Sequence, residues 1–190
     1  MQQKWKATQW QEEYSRIMSL RVRRCLEPTE SCDRKAIHAH SIQNATIMDE
    51  LSHDGHVMVF RLIRRSNTVP SVTCQRLGRN KASTFTGLCT EHDSSVFRAI
   101  ETSQPDLSDP EHLFLLAYRS VLRETHACFE AALRFQAGYL KRVEQGQSPS
   151  DRPDAAGLAA TEWICNAIDC YLYKRRFDEA LLAREYDTVV

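Results

Sequence analysis

Four soft donors in two clusters, Cys25 with Cys32 and Cys89 with His92, constrain this chain more tightly than any apolar pattern in it. Thiolates with one imidazole are the set that a structural Zn²⁺ takes. Cys89-Thr-Glu-His92 has the two-residue spacing of a zinc knuckle, whereas six residues separate Cys25 from Cys32. Between the pairs lie His38-Ala39-His40 and, around the second pair, the stretch from Phe85 to Phe97. The expectation is a metal-held ββα unit with a histidine on its first strand and one Zn²⁺ on Cys25, Cys32, Cys89 and His92. Cys74 is the alternative should Cys32 not be a ligand.

Ala39-His40-Ser41-Ile42 follows the first pair, and Thr86-Gly87-Leu88-Cys89 leads through His92-Asp93 to Phe97. This order, over about residues 20 to 101, resembles the HNH endonucleases of the treble-clef, or ββα-metal, group. Ala39 stands where that family often has an acid, and Thr86 where it has an asparagine; Asn80, six residues earlier, is the candidate replacement. The resemblance implies His40 as the base that activates water, and Asp93, with His38 as a further donor, as holder of one Mg²⁺ or Mn²⁺. The implied activity is metal-dependent hydrolysis of nucleic-acid phosphodiester bonds. The competing reading is a zinc-binding module without catalysis that contacts nucleic acid or protein.

Net charge is zero, but residues 1–81 hold 14 Lys and Arg against 8 Asp and Glu, and the remainder holds 11 against 17. Basic residues cluster at Arg21, Arg23 and Arg24, at Arg61, Arg64 and Arg65, and at Arg76, Arg79 and Lys81. The last two clusters are the expected phosphate-facing surface, with DNA favoured over RNA. Seven cysteines with no regular framework argue against a disulfide scaffold and for a reducing, cytoplasmic setting. No apolar run is long enough for a membrane span, and 42% hydrophobic residues suffice for a core.

Periodicity predicts a protein that is α+β but mostly helical. A first helix is expected over about residues 4–24, and a short one follows Asn44 through Met48 and Leu51, ended by Gly55. Val57–Ile63 reads as a strand, and no element is evident over residues 66–82. A helix should start at Asp93 and run to Glu101. Ser108-Asp-Pro-Glu111 reads as a capping box opening a helix to about Val143. Residues 144–157 form a linker, and a last helix spans about 158–184 with Ile164, Ile168, Tyr171 and Leu172 inward. The expected domains are residues 1–104, the first helix with the HNH-like unit, and 105–190, an antiparallel helical hairpin open to a protein partner or self-association.

Overall fold

A computed structural model describes residues 12–13, 15–41, 47–63, 71–102 and 104–187. The order is β1 (His38–His40), α1 (Ile47–Leu51), β2 (His56–Ile63), β3 (Ser71–Gly78), a 3₁₀ turn (Arg79–Lys81), β4 (Thr84–Thr86), α2 (Thr90–Val96), α3 (Arg98–Glu101), α4 (Pro110–Glu144) and α5 (Ala155–Ala183). The chain is therefore mixed α+β with helix predominant, with two small sheets and a C-terminal pair of long helices. None of the described helices is long and apolar enough to cross a membrane.

β1 and β4 pair antiparallel, with His38 opposite Thr86 and His40 opposite Thr84. The pairing runs past both strands: Ile37 N–H donates to Leu88 O at 2.8 Å, and Ser41 N–H to Ser83 O at 2.8 Å. A third segment is stitched alongside, since Ala36 N–H donates to Arg23 O and Leu26 N–H to Gly87 O. That pairing ends the first helix early. Its described part stops by residue 19, where the Arg21 guanidinium donates to the carbonyls of Met18 and Leu20; residues 20–23 are irregular and Arg24 pairs with Lys35.

β2 and β3 form a second antiparallel pair, from His56 opposite Gly78 to Ile63 opposite Ser71. β3 lies where the sequence suggested no element. Its alternation is weak because one face, with Val72, Cys74 and Arg76, is exposed, and pairing with β2 supplies the order that composition does not. Gly55 does not end α1. It shares a positive φ with Asp54, 68° and 51°, in a two-residue turn between the paired His53 and His56. Asp-Gly is the favoured sequence for such a turn because both central residues must be left-handed. Asn44 lies outside the described residues.

α4 begins one residue later than expected: Asp109 is the N-cap, accepting from Glu111 N–H at 2.8 Å, with Pro110 as first helical residue. Ser108 is already committed to Asp106 through its N–H and hydroxyl. Asp154 caps α5 by accepting from Ala156 and Gly157 N–H, so the linker ends at 154 and Gly157 is helical.

The face that α5 turns inward is also rotated from the sequence reading. Ile168 and Leu172 are half exposed, while Ala160, Ala167, Lys174, Phe177 and Asp178 are buried. Small residues let the helices approach, and the two buried charges satisfy each other. Lys174 Nζ donates to Asp178 Oδ2 at 2.6 Å and Tyr118 OH donates to Oδ1 at 2.6 Å. One hydrophobic core joins Phe85, Leu88, Phe97 and Ile100 to Phe114, Tyr118 and Leu122 of α4 and Phe177 of α5. Full burial of each such side chain contributes about 1.5–3 kcal/mol. The ligand-bearing segments therefore sit on the helical pair and depend on it for their shape.

Candidate metal centre

Cys25, Cys32, Cys89 and His92 converge, with all four ligand atoms within 4.8 Å of one another. Cys32 Sγ is 3.9 Å from Cys89 Sγ, and His92 Nδ1 is 3.5 Å from Cys25 Sγ and 3.3 Å from Cys89 Sγ. Ligands at about 2.3 Å from a tetrahedral ion lie about 3.8 Å apart, so these spacings fit one metal ion held by all four. It is the only group of three or more His, Cys, Asp or Glu with such geometry among the described residues.

Each ligand is placed by a local device. Cys89 is the N-cap of α2, which puts His92 on the first turn, and its N–H donates to Cys25 Sγ at 3.2 Å. Gly87 lets the chain turn from β4 into that position: a Cβ there would meet Phe85 Cε2 at 2.4 Å. Across the core, α4 anchors the approach to Cys25, with His126 Nε2 donating to Val22 O and Arg134 to Leu20 O.

The wide Cys25–Cys32 spacing is organised by Glu27, which is only 3% exposed. Its carboxylate accepts from the N–H groups of Thr29, Ser31 and Cys32 at 2.7, 2.5 and 3.1 Å, and from the Thr29 hydroxyl. Burial pushes the Glu27 carboxyl upward, but those hydrogen bonds outweigh it and hold it below the usual carboxylate range. Glu27 thus takes the role that backbone geometry plays in a tighter knuckle. The sequence signal for it is an acid two residues after a ligand, inside an otherwise overlong gap.

Electrostatics differ among the thiols. Burial pushes Cys25 up to about 12, while hydrogen bonds, that of the His92 backbone N–H first, overcome burial and lower Cys89. A cation at the centre would favour the thiolates throughout. The site opens to solvent along the Cys32–His92 edge, where exposed Arg34 and Glu91 form an ion pair across the two ligand segments.

The other residues singled out from the sequence lie elsewhere. His40 Nδ1 donates to Ala82 O at 3.1 Å, and exposed His38 has Nδ1 3.4 Å from Thr86 Oγ1. Asp93 does not start a helix: α2 begins at Thr90, and the Asp93 carboxyl is half-buried toward Arg119 and Glu101. Burial raises it, and Arg119 works against that. Arg119 is 2% exposed, donates to Glu101 at 2.5 Å and stacks 4.1 Å over the Phe97 ring. That packing interrupts the predicted 93–101 helix at Phe97, between α2 and α3. His38, His40 and Asp93 are not brought together as a group of metal donors.

Asn80 sits exposed in the 3₁₀ turn, beside exposed Lys81. Arg61 is exposed on β2, Arg76 lies 3.9 Å from Asp54, and Arg79 pairs with Asp49. Arg64 and Arg65 lie outside the described residues. Cys74 is exposed on β3, away from the four ligands.

No protein-family model, curated protein or solved structure matches this chain.

Proposed function

We propose that this chain is a nucleic-acid-binding module built on a structural Zn²⁺ site of the treble-clef kind, with the β2–β3 ribbon as its contact element. Three thiolates and one imidazole make a closed four-ligand set, which suits a structural zinc and leaves no open position for a substrate. The sequence of ligand loop, β1, β4 and α2 supports the HNH-like ββα arrangement, with β2–β3 inserted between its two strands.

The observation that carries the binding reading is the ribbon itself. Its strands, eight residues each, pair mainly with each other. One face presents Phe60, 81% exposed, beside Met58, Val72 and Arg76, and Arg61 follows on the opposite face. A two-stranded ribbon fits the major groove of DNA, and an exposed aromatic with an arginine on the same face suits stacking on unpaired bases with contacts to phosphate. The ion pairs of Arg76 and Arg79 are exposed and exchangeable for phosphate, since exposed pairs contribute about 0–1 kcal/mol.

Binding to labelled single-stranded and duplex DNA, titrated across salt, tests this. Affinity should fall steeply with salt, Arg61→Glu and Arg76→Glu should weaken binding to all sequences alike, and Phe60→Ala should weaken single-strand binding most. Absence of binding at low salt rules the reading out.

A second reading, an HNH-like endonuclease, is favoured by His40. Donation from Nδ1 to Ala82 O leaves Nε2 as the free lone pair, the form a general base needs. The donor set for a catalytic Mg²⁺ or Mn²⁺ does not fit, because Asp93 faces Arg119 and Glu101 and is not grouped with the histidines. Cleavage of plasmid DNA in Mg²⁺ or Mn²⁺ that is lost in His40→Ala, with zinc retained, would favour the nuclease; no cleavage by the wild type leaves the binding module.

A further inference from the structure

Away from the metal centre, the geometry points to a thiol–disulfide site formed by Cys128 of α4 and Cys170 of α5, which cross-links the two long helices under oxidising conditions. Their sulfurs are 3.2 Å apart, although the two residues are 42 positions apart in sequence. A disulfide needs about 2.05 Å, so the sulfurs have only about 1.2 Å to close. The helices are already joined at this level, since the Thr125 hydroxyl donates to Cys170 O at 3.3 Å as well as to Val121 O. The two thiols also differ in access. Cys128 is 5% exposed, whereas Cys170 is partly open to solvent. One turn before Cys128, Glu124 Oε1 accepts from its thiol at 3.8 Å; burial first, then Cys170 and Glu124, favour the protonated form, so Cys128 is the slower nucleophile of the two.

The oxidant is a small soluble disulfide of the glutathione class. The Cys170 thiolate attacks one of its sulfurs, forming a mixed disulfide and expelling one small thiolate, which takes up the proton that Cys170 lost. Cys128, giving up its proton to solvent, then attacks the Cys170 sulfur, forming the Cys128–Cys170 bond and expelling the second small thiolate, which takes up a proton in turn. In sum the two protein thiols lose two electrons and two protons, and the oxidant is reduced to two thiols. Cys74 and Cys165 are exposed and serve as internal controls for simple surface oxidation.

The test uses the full, metal-loaded chain equilibrated in glutathione–glutathione disulfide mixtures, quenched by alkylation and mapped by peptide mass spectrometry, with metal content followed in the same samples. The expected result is a 128–170 cross-linked peptide, lighter by two hydrogens, formed with metal retained and accompanied by a rise in Tm of several degrees. Cys128→Ser should trap glutathione on Cys170 and show no rise. Because the mapping is done on the wild type, a variant that fails to fold does not obscure it. The proposal is overturned if Cys128 and Cys170 both remain alkylatable where Cys165 is already glutathionylated. It is equally overturned if the cross-link appears only after the metal is lost.

Discussion

The peptide N–H of Cys89 donates to the sulfur of Cys25 at 3.2 Å, so one ligand of the metal centre orients and solvates another across 64 residues of sequence. Neither ligand pair is a complete site without the other. The centre exists only when the ligand loop and the start of α2 are both docked on the core.

Loss of metal should therefore be loss of structure. The chain is expected to carry one Zn²⁺, and Cys89→Ser or a strong chelator should abolish cooperative unfolding of the segment that holds Cys25 to Phe97, because ligand assembly is folding free energy. Elemental analysis with thermal melts checks this. Folded protein free of zinc and unaffected by chelator would contradict it.

Glu27 should tune affinity without being a ligand. Outer-shell partners of metal ligands are typically worth about 10–100-fold in metal affinity, and Glu27→Ala removes the acceptor for three N–H groups, that of Cys32 included. Competition with a chromophoric chelator measures the loss. The sign with pH follows from its lowered carboxyl. Its support is present above the ordinary carboxylate range and disappears as pH falls through the lowered value, in the same direction as protonation of the thiolates and imidazole.

Gly87→Ala should destabilise by about 1–3 kcal/mol, the usual cost of overpacking. The new methyl would meet the Phe85 ring, and that ring is 7% exposed within the shared core. Chemical denaturation should register the change as a lower midpoint. A neutral result would mean that the ring has room to move.

The buried pair of α5 makes an asymmetric prediction. Asp178→Ala leaves Lys174 buried without its partner and should cost about 3–5 kcal/mol, whereas replacing both residues with apolar ones of similar volume, together with Tyr118→Phe so that no buried hydroxyl loses its acceptor, should be neutral or stabilising. Burial, the largest influence, raises the Asp178 carboxyl despite the hydrogen bonds from Lys174 and Tyr118. A raised carboxyl favours the folded state below the ordinary carboxylate value, and that benefit is lost as pH rises through the raised one. The apolar triple variant should therefore gain most over wild type near neutrality. Denaturant titrations at two pH values would show it.

The metal centre was legible because its chemistry is encoded in residue type: four soft donors announce themselves whatever encloses them. The long helices were legible from apolar periodicity and from the Ser108-Asp-Pro-Glu111 box, but the cap falls on Asp109, and Asp154, which caps the last helix, lies inside the stretch read as linker. What failed was phase and partnership. Nothing local to Ile168 or Leu172 says that α5 would turn Lys174 and Asp178 inward, because their burial depends on Tyr118 of another helix. β3 was invisible because the partner strand, not its own composition, decides it. Asp93 looked like a helix start because an acid after a ligand pair fits that role, and only the packing of Arg119 on Phe97 shows what surrounds its carboxyl.

The ribbon enters and leaves the fold at a single place, since His56 and Gly78 are cross-strand partners and Arg79 N–H donates to Gly55 O at 2.9 Å. A segment with adjoining ends is an accessory that evolution or an engineer can lengthen, trim or exchange. The strands that flank the metal centre need not register the swap. Such a chain is a socket and plug: the four-donor cluster lies in the socket, and the ribbon is the part that can change without it.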